Sequence, residues 1–409
     1  MNLKGCLMMR PSDREYNQDF DRIVSRKGTE SLKYDFAVQR GKPEGILPLW
    51  VADMDFPTSS GIIAAIKKRA DHGIFGYSEA DEGYYDAVIS WMRKRHSWDI
   101  RSSWIVKTPG VVFALAMAVR AYTDPADAVM IQQPVYYPFS EVIRDNGRVV
   151  VNNALKLGND GKYRMDPDDF EYQIRRNKVR LFLLCNPHNP VGRVWTKKEL
   201  SVIGGICAKY GVTVVSDEIH EDFVFPEHEH HVFAKAGKGF AAFTITCTSP
   251  GKTFNLAGLQ VSNIVISDPG LRKAFRREIA AAGYSQINTM GLVACEAAYR
   301  NGGEWFDALR GYLKENLDFL REYLKEKLPE ISLIEPEGTY LIWLDFRKLN
   351  LTEKQREDMI VNRAGLWLDS GAVFGADGTG FERINIACPR RTLKKALSML
   401  RSAVYEYSK

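Results

Sequence analysis

The sequence predicts an α/β fold, a large, doubly wound and mostly parallel sheet domain accompanied by a smaller α+β domain. Three observations carry this. Between about residues 60 and 300, short β-branched runs alternate with helix-period segments. Several of the runs are apolar on both faces, as strands of a sheet covered on both sides must be. From about residue 304 the texture changes to one long amphipathic stretch followed by strand-like and helix-like segments. A chain of 409 residues can form one large or two ordinary domains. The expected division is 56–300 for the large domain, with 1–55 and 301–409 forming the small one.

Taken in order, the strand candidates are WIVKT (104–108), AVMIQQ (128–133), VVVNNA (149–154), LFLLCN (181–186), VTVVSD (212–217), FTITCTS (243–249) and SNIVIS (262–267). Helical stretches fall between them, among them 111–123 and KKELSVIGGICAKYG (197–211), the latter opened by Thr196 as a cap. The stretch 304–328 carries Leu309, Leu313, Leu317, Leu320 and Leu324 at helical spacing, so one face of that helix is buried. After it come a strand at TYLIWLDF (339–346), a helical stretch near 352–364, a strand at RINIAC (383–388) and a final helix. No internal repeat and no low-complexity linker interrupts this order.

Composition narrows the function classes. Apolar residues make up 45% and charged residues 26%, an ordinary balance for a globular protein, and the net charge of +5 is dispersed. RRNKVR (175–180) and PRRTLKK (389–395) are the densest basic stretches, and solvated helix ends account for both. Neither a nucleic-acid nor a membrane partner is expected. Cys6, Cys185, Cys207, Cys247, Cys295 and Cys388 are scattered without a C-x-x-C pair, which favours buried free thiols over disulfides or a zinc site. The first twenty residues lack the apolar core of a signal peptide, and VVFALAMAV (111–119) is too short to span a bilayer, so a cytoplasmic location is expected. PEHEHH (226–231) gathers His228, His230 and His231, but no zincin-type helix motif accompanies them. They are expected in an exposed loop, and no metal is assigned.

The chemistry gathers where strands end. Ligands of open α/β sheets bind beyond the carboxyl ends of the strands. LFLLCNPHNPVG ends in Asn186, with Asn189 in the loop; VTVVSDEIH ends in Asp217; FTITCTSPGK ends in Ser249 and Lys252. WIVKTPGVV runs through Gly110 into a helix N-terminus, an anion site by its free N–H groups and dipole. Gly251-Lys252-Thr253 resembles the end of a nucleotide-binding loop, but Thr246 stands where that loop needs glycine and Pro250 removes an N–H. A lysine, a buried carboxylate, an asparagine and a phosphate cradle on one edge match the needs of pyridoxal phosphate instead. Bland readings stand beside these: a surface lysine, an Asp cap, turn-forming asparagines, a core tyrosine in which Tyr136 and Tyr137 compete for register.

Seven stretches in order resemble the fold-type I pyridoxal-phosphate enzymes, the aspartate aminotransferase superfamily, and within it the cystathionine β-lyase/C–S lyase branch. They are LPLWVADMDFPT (47–58), GIFGYSEADEGYYDAVISWMRKRHSW (73–98), PVYYPF (134–139), NPHNPVGRVW (186–195), SDEIHEDFVF (216–225), SPGKTFNLAGLQVS (249–262) and RINIACPR (383–390). The resemblance implies pyridoxal 5'-phosphate as cofactor and a set of roles. Lys252 would bond the cofactor covalently and then remove the substrate α-proton. Asp217 would pair with the ring nitrogen, Asn189 would bond the phenolic oxygen, Tyr136 would stack on the ring, and His220 would stand beside it. The amides of Val111 and Val112 with the Ser249 hydroxyl would hold the phosphate. Arg383 would clamp the substrate carboxylate, with Ala52 beside the substrate. Tyr77 would reach the phosphate of a neighbouring subunit, which implies a homodimer with shared sites.

Two positions depart from the common aminotransferase pattern. His220 replaces a tyrosine three residues after Asp217, and Gln260 replaces an arginine eight residues after Lys252. Both fit the lyase branch better, and the second changes the phosphate contacts. The resemblance therefore implies a β-lyase acting on cystathionine or a related L-cysteine S-conjugate. An aminotransferase of class I/II needs the same lysine, aspartate and arginine and stands as the alternative. A regulatory module keeping the fold is a third reading, against which the retained Lys252 speaks.

Overall fold

A computed structural model describes residues 19 to 407 of the chain; the expectations for Cys6 and for the start of the small domain fall outside that range. All seven β-branched runs form strands: β1 (Ile105–Thr108), β2 (Ala128–Ile131), β3 (Val149–Asn152), β4 (Leu181–Cys185), β5 (Thr213–Asp217), β6 (Thr244–Thr248) and β7 (Ser262–Val265). They make one sheet in the order β1-β7-β6-β5-β4-β2-β3. Neighbours run parallel throughout except at β7, which is antiparallel to both β1 and β6. The cause is local: β6 reaches β7 through the tight 249–261 segment, with no long crossover between them.

Ten longer helices surround the two sheets: α1 (Ser60–Asp71), α2 (Glu82–His96), α3 (Val111–Tyr122), α4 (Pro138–Asp145), α5 (Pro167–Asn177), α6 (Lys197–Tyr210), α7 (Pro269–Ala281), α8 (Thr289–Asn301), α9 (Gly303–Lys327) and α10 (Arg390–Tyr407). The all-apolar strand β4 explains why both sheet faces are covered. Phe182 and Leu184 pack with Phe170 of α5 and Leu200 of α6, while Leu181 and Leu183 pack with Leu115 of α3 and Phe275 of α7. Alternation along a strand sends successive side chains to opposite faces, so an unbroken apolar run needs a core on each side.

A second sheet of four antiparallel strands follows, β8 (Ser332–Leu333), β9 (Leu341–Asp345), β10 (Asp369–Ser370) and β11 (Phe381–Asn385), in the order β8-β9-β11-β10. Helix α9 buries Leu309, Leu313, Leu317, Leu320 and Leu324 beneath it. Each such leucine contributes roughly 1.5–3 kcal/mol by removal from water. Leu47–Pro48 pairs in parallel with Leu366–Trp367, so the N-terminal segment is stitched to the later part of the chain. That stitch carries residues 49–56 across the mouth of the large sheet, where Ala52 meets Lys252.

Candidate active site

The register of the large sheet brings the carboxyl ends of its central strands level. Cys185 pairs with Asp217, and Asp217 with Cys247, so the residues that follow β4, β5 and β6 emerge side by side. A cavity of about 180 Å³ lies there, lined by Gly110, Val111, Val112, Tyr136, Asn189, Asp217, His220, Ser249, Lys252 and Ala52. Nine of the eleven positions singled out from sequence as binding or catalytic groups line this cavity, and a tenth, Arg383, bonds Asn189 of its lining. Tyr77, the eleventh, is 98% exposed and lies away from the cavity.

Lys252 owes its placement to a cap. Strand β6 stops at Thr248, and the Ser249 hydroxyl accepts the Gly251 N–H at 3.0 Å, closing a single helical turn, Pro250–Thr253. That turn directs the Lys252 ammonium to the Ala52 carbonyl at 2.7 Å. The Tyr340 hydroxyl donates to the same carbonyl at 2.9 Å. Burial, reinforced by the charge of Arg383, lowers the lysine to about 8, so a neutral amine is accessible near neutral pH. The nucleotide-loop likeness of this stretch ends here, because its lysine points into a cavity beneath an N-terminal strap rather than along a glycine-rich loop.

Asp217 is buried at the end of β5, and its one described hydrogen bond is accepted from the Ile219 N–H at 3.1 Å. Burial pushes it up to about 7, against the opposing effects of that bond and of Lys252. A buried carboxylate held this way calls for a cationic N–H partner, which a pyridinium supplies. His220 is also buried, and its Nδ1 has no partner. Burial, with Lys252 and Arg383 near it, holds this imidazole well below its usual range and therefore neutral.

Arg383 is fixed by three groups. It donates through Nη1 to Asn189 Oδ1 at 3.0 Å and through Nη2 to the Trp50 carbonyl at 2.8 Å, and Nη2 also meets Asp369. Its Nε is buried and unpartnered. Strand register explains the arrangement, since Arg383 of β11 stands directly opposite Asp369 of β10. With its carbonyl held by Arg383, Asn189 keeps its amide N–H groups for a ligand. Tyr136 faces the cavity and Tyr137 packs toward Phe374 at 6.3 Å, which resolves the register left open by the tyrosine pair.

The phosphate cradle differs in one detail from the expectation. Val111 and Val112 open α3, where N–H groups lack intrahelical acceptors, and Gly110 reaches that start with φ of 146°, a conformation suited to glycine. The Ser249 hydroxyl, however, donates to the Val261 carbonyl at 2.7 Å while capping Gly251. Its proton is committed within the protein, so the amides of α3 are the free donors. Gln260 lines the cavity at the position that lacks an arginine.

The histidine stretch departs from expectation more sharply. His228 is exposed, as a loop residue should be, but the His230 side chain is only 3% exposed and bonds Glu218 at 2.8 Å. Glu218 is a buried carboxylate just after β5, and its need for a donor draws that histidine inward. Three contributors to the active site were invisible in sequence. Asp369 lies in a two-residue strand too short to show a pattern, Tyr340 sits within an apolar run, and Trp50 acts through its backbone.

The residues present fit pyridoxal phosphate: a lysine of lowered basicity, a buried carboxylate that lacks a cation, an aromatic face and a helix N-terminus lie round one cavity. Comparison with known proteins agrees. The model of the class I and II aminotransferases matches residues 44–400. Cystathionine beta-lyase PatB of Bacillus subtilis is 41% identical over 386 residues, covering 94% of this chain and 100% of that protein. The chain belongs to the class I and II aminotransferase family, in its cystathionine β-lyase branch. Protein MalY of Escherichia coli is 33% identical over 388 residues, covering 94% of this chain and 98% of that one. The crystal structure of cystalysin from Treponema denticola, which contains a pyridoxal 5'-phosphate cofactor, superposes with a TM-score of 0.91 at 38% identity, over 95% of this chain and 99% of that one. Family membership accounts for the α/β architecture and for a site built at strand ends.

Proposed function

We propose that the protein is a pyridoxal-phosphate-dependent carbon–sulfur β-lyase that cleaves L-cystathionine or a related cysteine S-conjugate to a thiol, pyruvate and ammonia. The observation that carries this reading is the convergence of Lys252, Asp217, Asn189 and Arg383 at one edge of the sheet, in a chain 41% identical to a cystathionine β-lyase. When bound, pyridoxal phosphate supplies an electron sink for the pair left behind as the substrate loses its α-proton.

The chain's own residues do the rest. Lys252, lowered to about 8, holds a neutral amine in useful amount and takes the α-proton. The proton it then carries is available to the departing sulfur. Asp217 keeps a positive charge on the ring nitrogen by direct pairing, and Asn189 offers its amide to the phenolic oxygen. Arg383 receives the substrate carboxylate through its fork, already aimed by Asp369 and the Trp50 carbonyl. Tyr136 supports the ring face. The amides of Val111 and Val112 receive the phosphate, with Ser249 shaping the turn that presents Lys252. Ala52 holds the lysine through its carbonyl and lines the cavity, beside the substrate.

Acceptor dependence tests the reading. Incubated with L-cystathionine and no 2-oxo acid, the enzyme is expected to release homocysteine, pyruvate and ammonia continuously. Turnover that starts only when a 2-oxo acid is added, with no free thiol, would show an aminotransferase instead.

The same reading extends to assembly. Tyr77, exposed beside exposed Ile74 and Phe75, suits a homodimer in which it reaches the partner's phosphate. Residues 56–300 would form the cofactor-binding domain, with 1–55 and 301–409 as the smaller one, a division that the two separate sheets support. Five described cysteines are buried and free, which fits a cytoplasmic enzyme. Among the described residues no helix is long and apolar enough to cross a membrane.

A further inference from the structure

Behind the active site, on the far side of the β5 turn, three carboxylates and two imidazoles are packed together. Glu218, Glu221 and Asp222 all follow β5; His96 is the last residue of α2, and His230 comes from the histidine stretch. All five side chains are at most 4% exposed. Among the described residues no lysine or arginine lies within 4.0 Å of the three carboxylates, whose ion-pair partners are the two histidines, although Arg95 is near enough to feel the charge of Asp222. Three buried carboxylates thus share two imidazoles as their ionic partners.

Donor atoms of three of these side chains converge. One donor atom from each of His96, Glu221 and His230 lies within 4.8 Å of the others. Glu221 Oε2 and His230 Nδ1 are buried and have no hydrogen-bond partner. Glu221 Oε2 stands 3.8 Å from His96 Nε2, close to the roughly 3.4 Å that separates ligands on a tetrahedral zinc with bonds of 2.0–2.1 Å. His230 Nε2 meets Glu218 at 2.8 Å, the carboxylate–imidazole pairing that fixes a ligating histidine and leaves its other nitrogen for the metal. His96 Nε2 meets Asp222 Oδ1 at 2.9 Å, so an ion taken at that nitrogen would replace this contact and sit beside the Asp222 charge. The group borders a solvent-reaching cleft of about 550 Å³, which gives an ion a way in past Arg95, Lys197, Lys235 and Arg310, whose side chains also line it.

We propose that His96, Glu221 and His230 form a binding site for a divalent transition-metal ion of the zinc class, held in place by Glu218 and Asp222. Two imidazoles and one carboxylate suit zinc and its neighbours rather than calcium or magnesium, which prefer all-oxygen shells. The site is separate from the cofactor cavity but joined to it: Asp222 Oδ2 accepts the Thr253 hydroxyl at 2.6 Å, and Thr253 follows Lys252.

The test uses the full-length, cofactor-loaded protein, stripped with a chelator and titrated with Zn2+ against a chromophoric indicator. The cofactor's visible absorbance serves as the check on folding. One ion per chain is expected, and Co2+ in its place should give the intense visible bands of a four-coordinate site. Glu221→Gln and, as a second variant, His230→Gln should each weaken binding at least as much as loss of a supporting contact does, roughly 10–100-fold. His228→Ala, in the exposed part of the same loop, should leave it unchanged. The proposal is overturned if wild type binds no ion more tightly than the Glu221→Gln and His230→Gln proteins, or if His228→Ala alone removes binding. Binding is read without turnover, so the result stands apart from the lyase assignment.

Discussion

At Asp217, burial and charge oppose each other. Its folded value of about 7 lies above the ordinary 3.8, so between those values the cofactor-free folded chain holds a proton that the unfolded chain has released. Stability of the cofactor-free protein therefore falls as pH rises through that window, by an amount on the order of 4 kcal/mol. Asp217→Asn should erase this slope in denaturation measured at pH 5 and pH 8. The same substitution should lower turnover at least 100-fold, because the ring nitrogen loses its anion. Arg383→Lys removes a fork and strands Asn189 and Asp369; losing a charge-assisted bond of about 2–3 kcal/mol predicts a roughly 30–150-fold drop in kcat/KM. A steady-state comparison with L-cystathionine checks it. Asp217 was legible from sequence because it ends an apolar strand, whereas Arg383, in the middle of β11, was legible only by resemblance. Asp369 and Tyr340 were not, because their role depends on register across a small sheet rather than on neighbours in the chain.

At the scale of elements, strands and helices with a full period were readable, and short ones were not. The seven runs of the large sheet and the five-leucine face of α9 follow directly from hydrophobic spacing. The antiparallel insertion of β7 is a matter of pairing, which spacing does not encode. Nor does spacing encode the inward turn of His230, which answers the buried Glu218, a partner twelve residues away. Thr196 was recognisable as a cap, and it forms a reciprocal capping box with Glu199 at the start of α6. Thr196→Ala should cost about 1 kcal/mol, seen as roughly fivefold faster amide exchange in the first turn of α6. Unchanged exchange there would mean that packing of Leu200 and Ile203 alone holds the helix.

Across the whole molecule, the N-terminal segment works as a strap over the site. Lys33, fully buried, meets Asp55 at 3.0 Å, and Arg26 meets Asp53 at 2.6 Å. These pairs flank the stretch whose Ala52 carbonyl receives Lys252. Lys33→Ala would leave Asp55 buried with Arg26 and Tyr34 as its remaining partners, a loss of roughly 1.5–3 kcal/mol. Urea denaturation of the cofactor-loaded enzyme measures it. The proposed homodimer has its own test. In mixed dimers, a Lys252→Ala subunit paired with a Tyr77→Phe subunit should keep one intact site if Tyr77 acts across the interface. Tyr77→Phe alone should weaken cofactor retention about tenfold, the worth of one bond to a charged group. Sequence could suggest this tyrosine only by resemblance, since nothing in a single chain explains an aromatic ring left in water.

The central claim is acceptor-independent elimination at a site whose base is Lys252. Counting thiol and pyruvate against active sites, with L-cystathionine and no 2-oxo acid, tests it most directly. The account predicts equal thiol and pyruvate, rising far past one equivalent per site, and neither product from Lys252→Ala. Product formation that halts at one equivalent per site until a 2-oxo acid is supplied would contradict it.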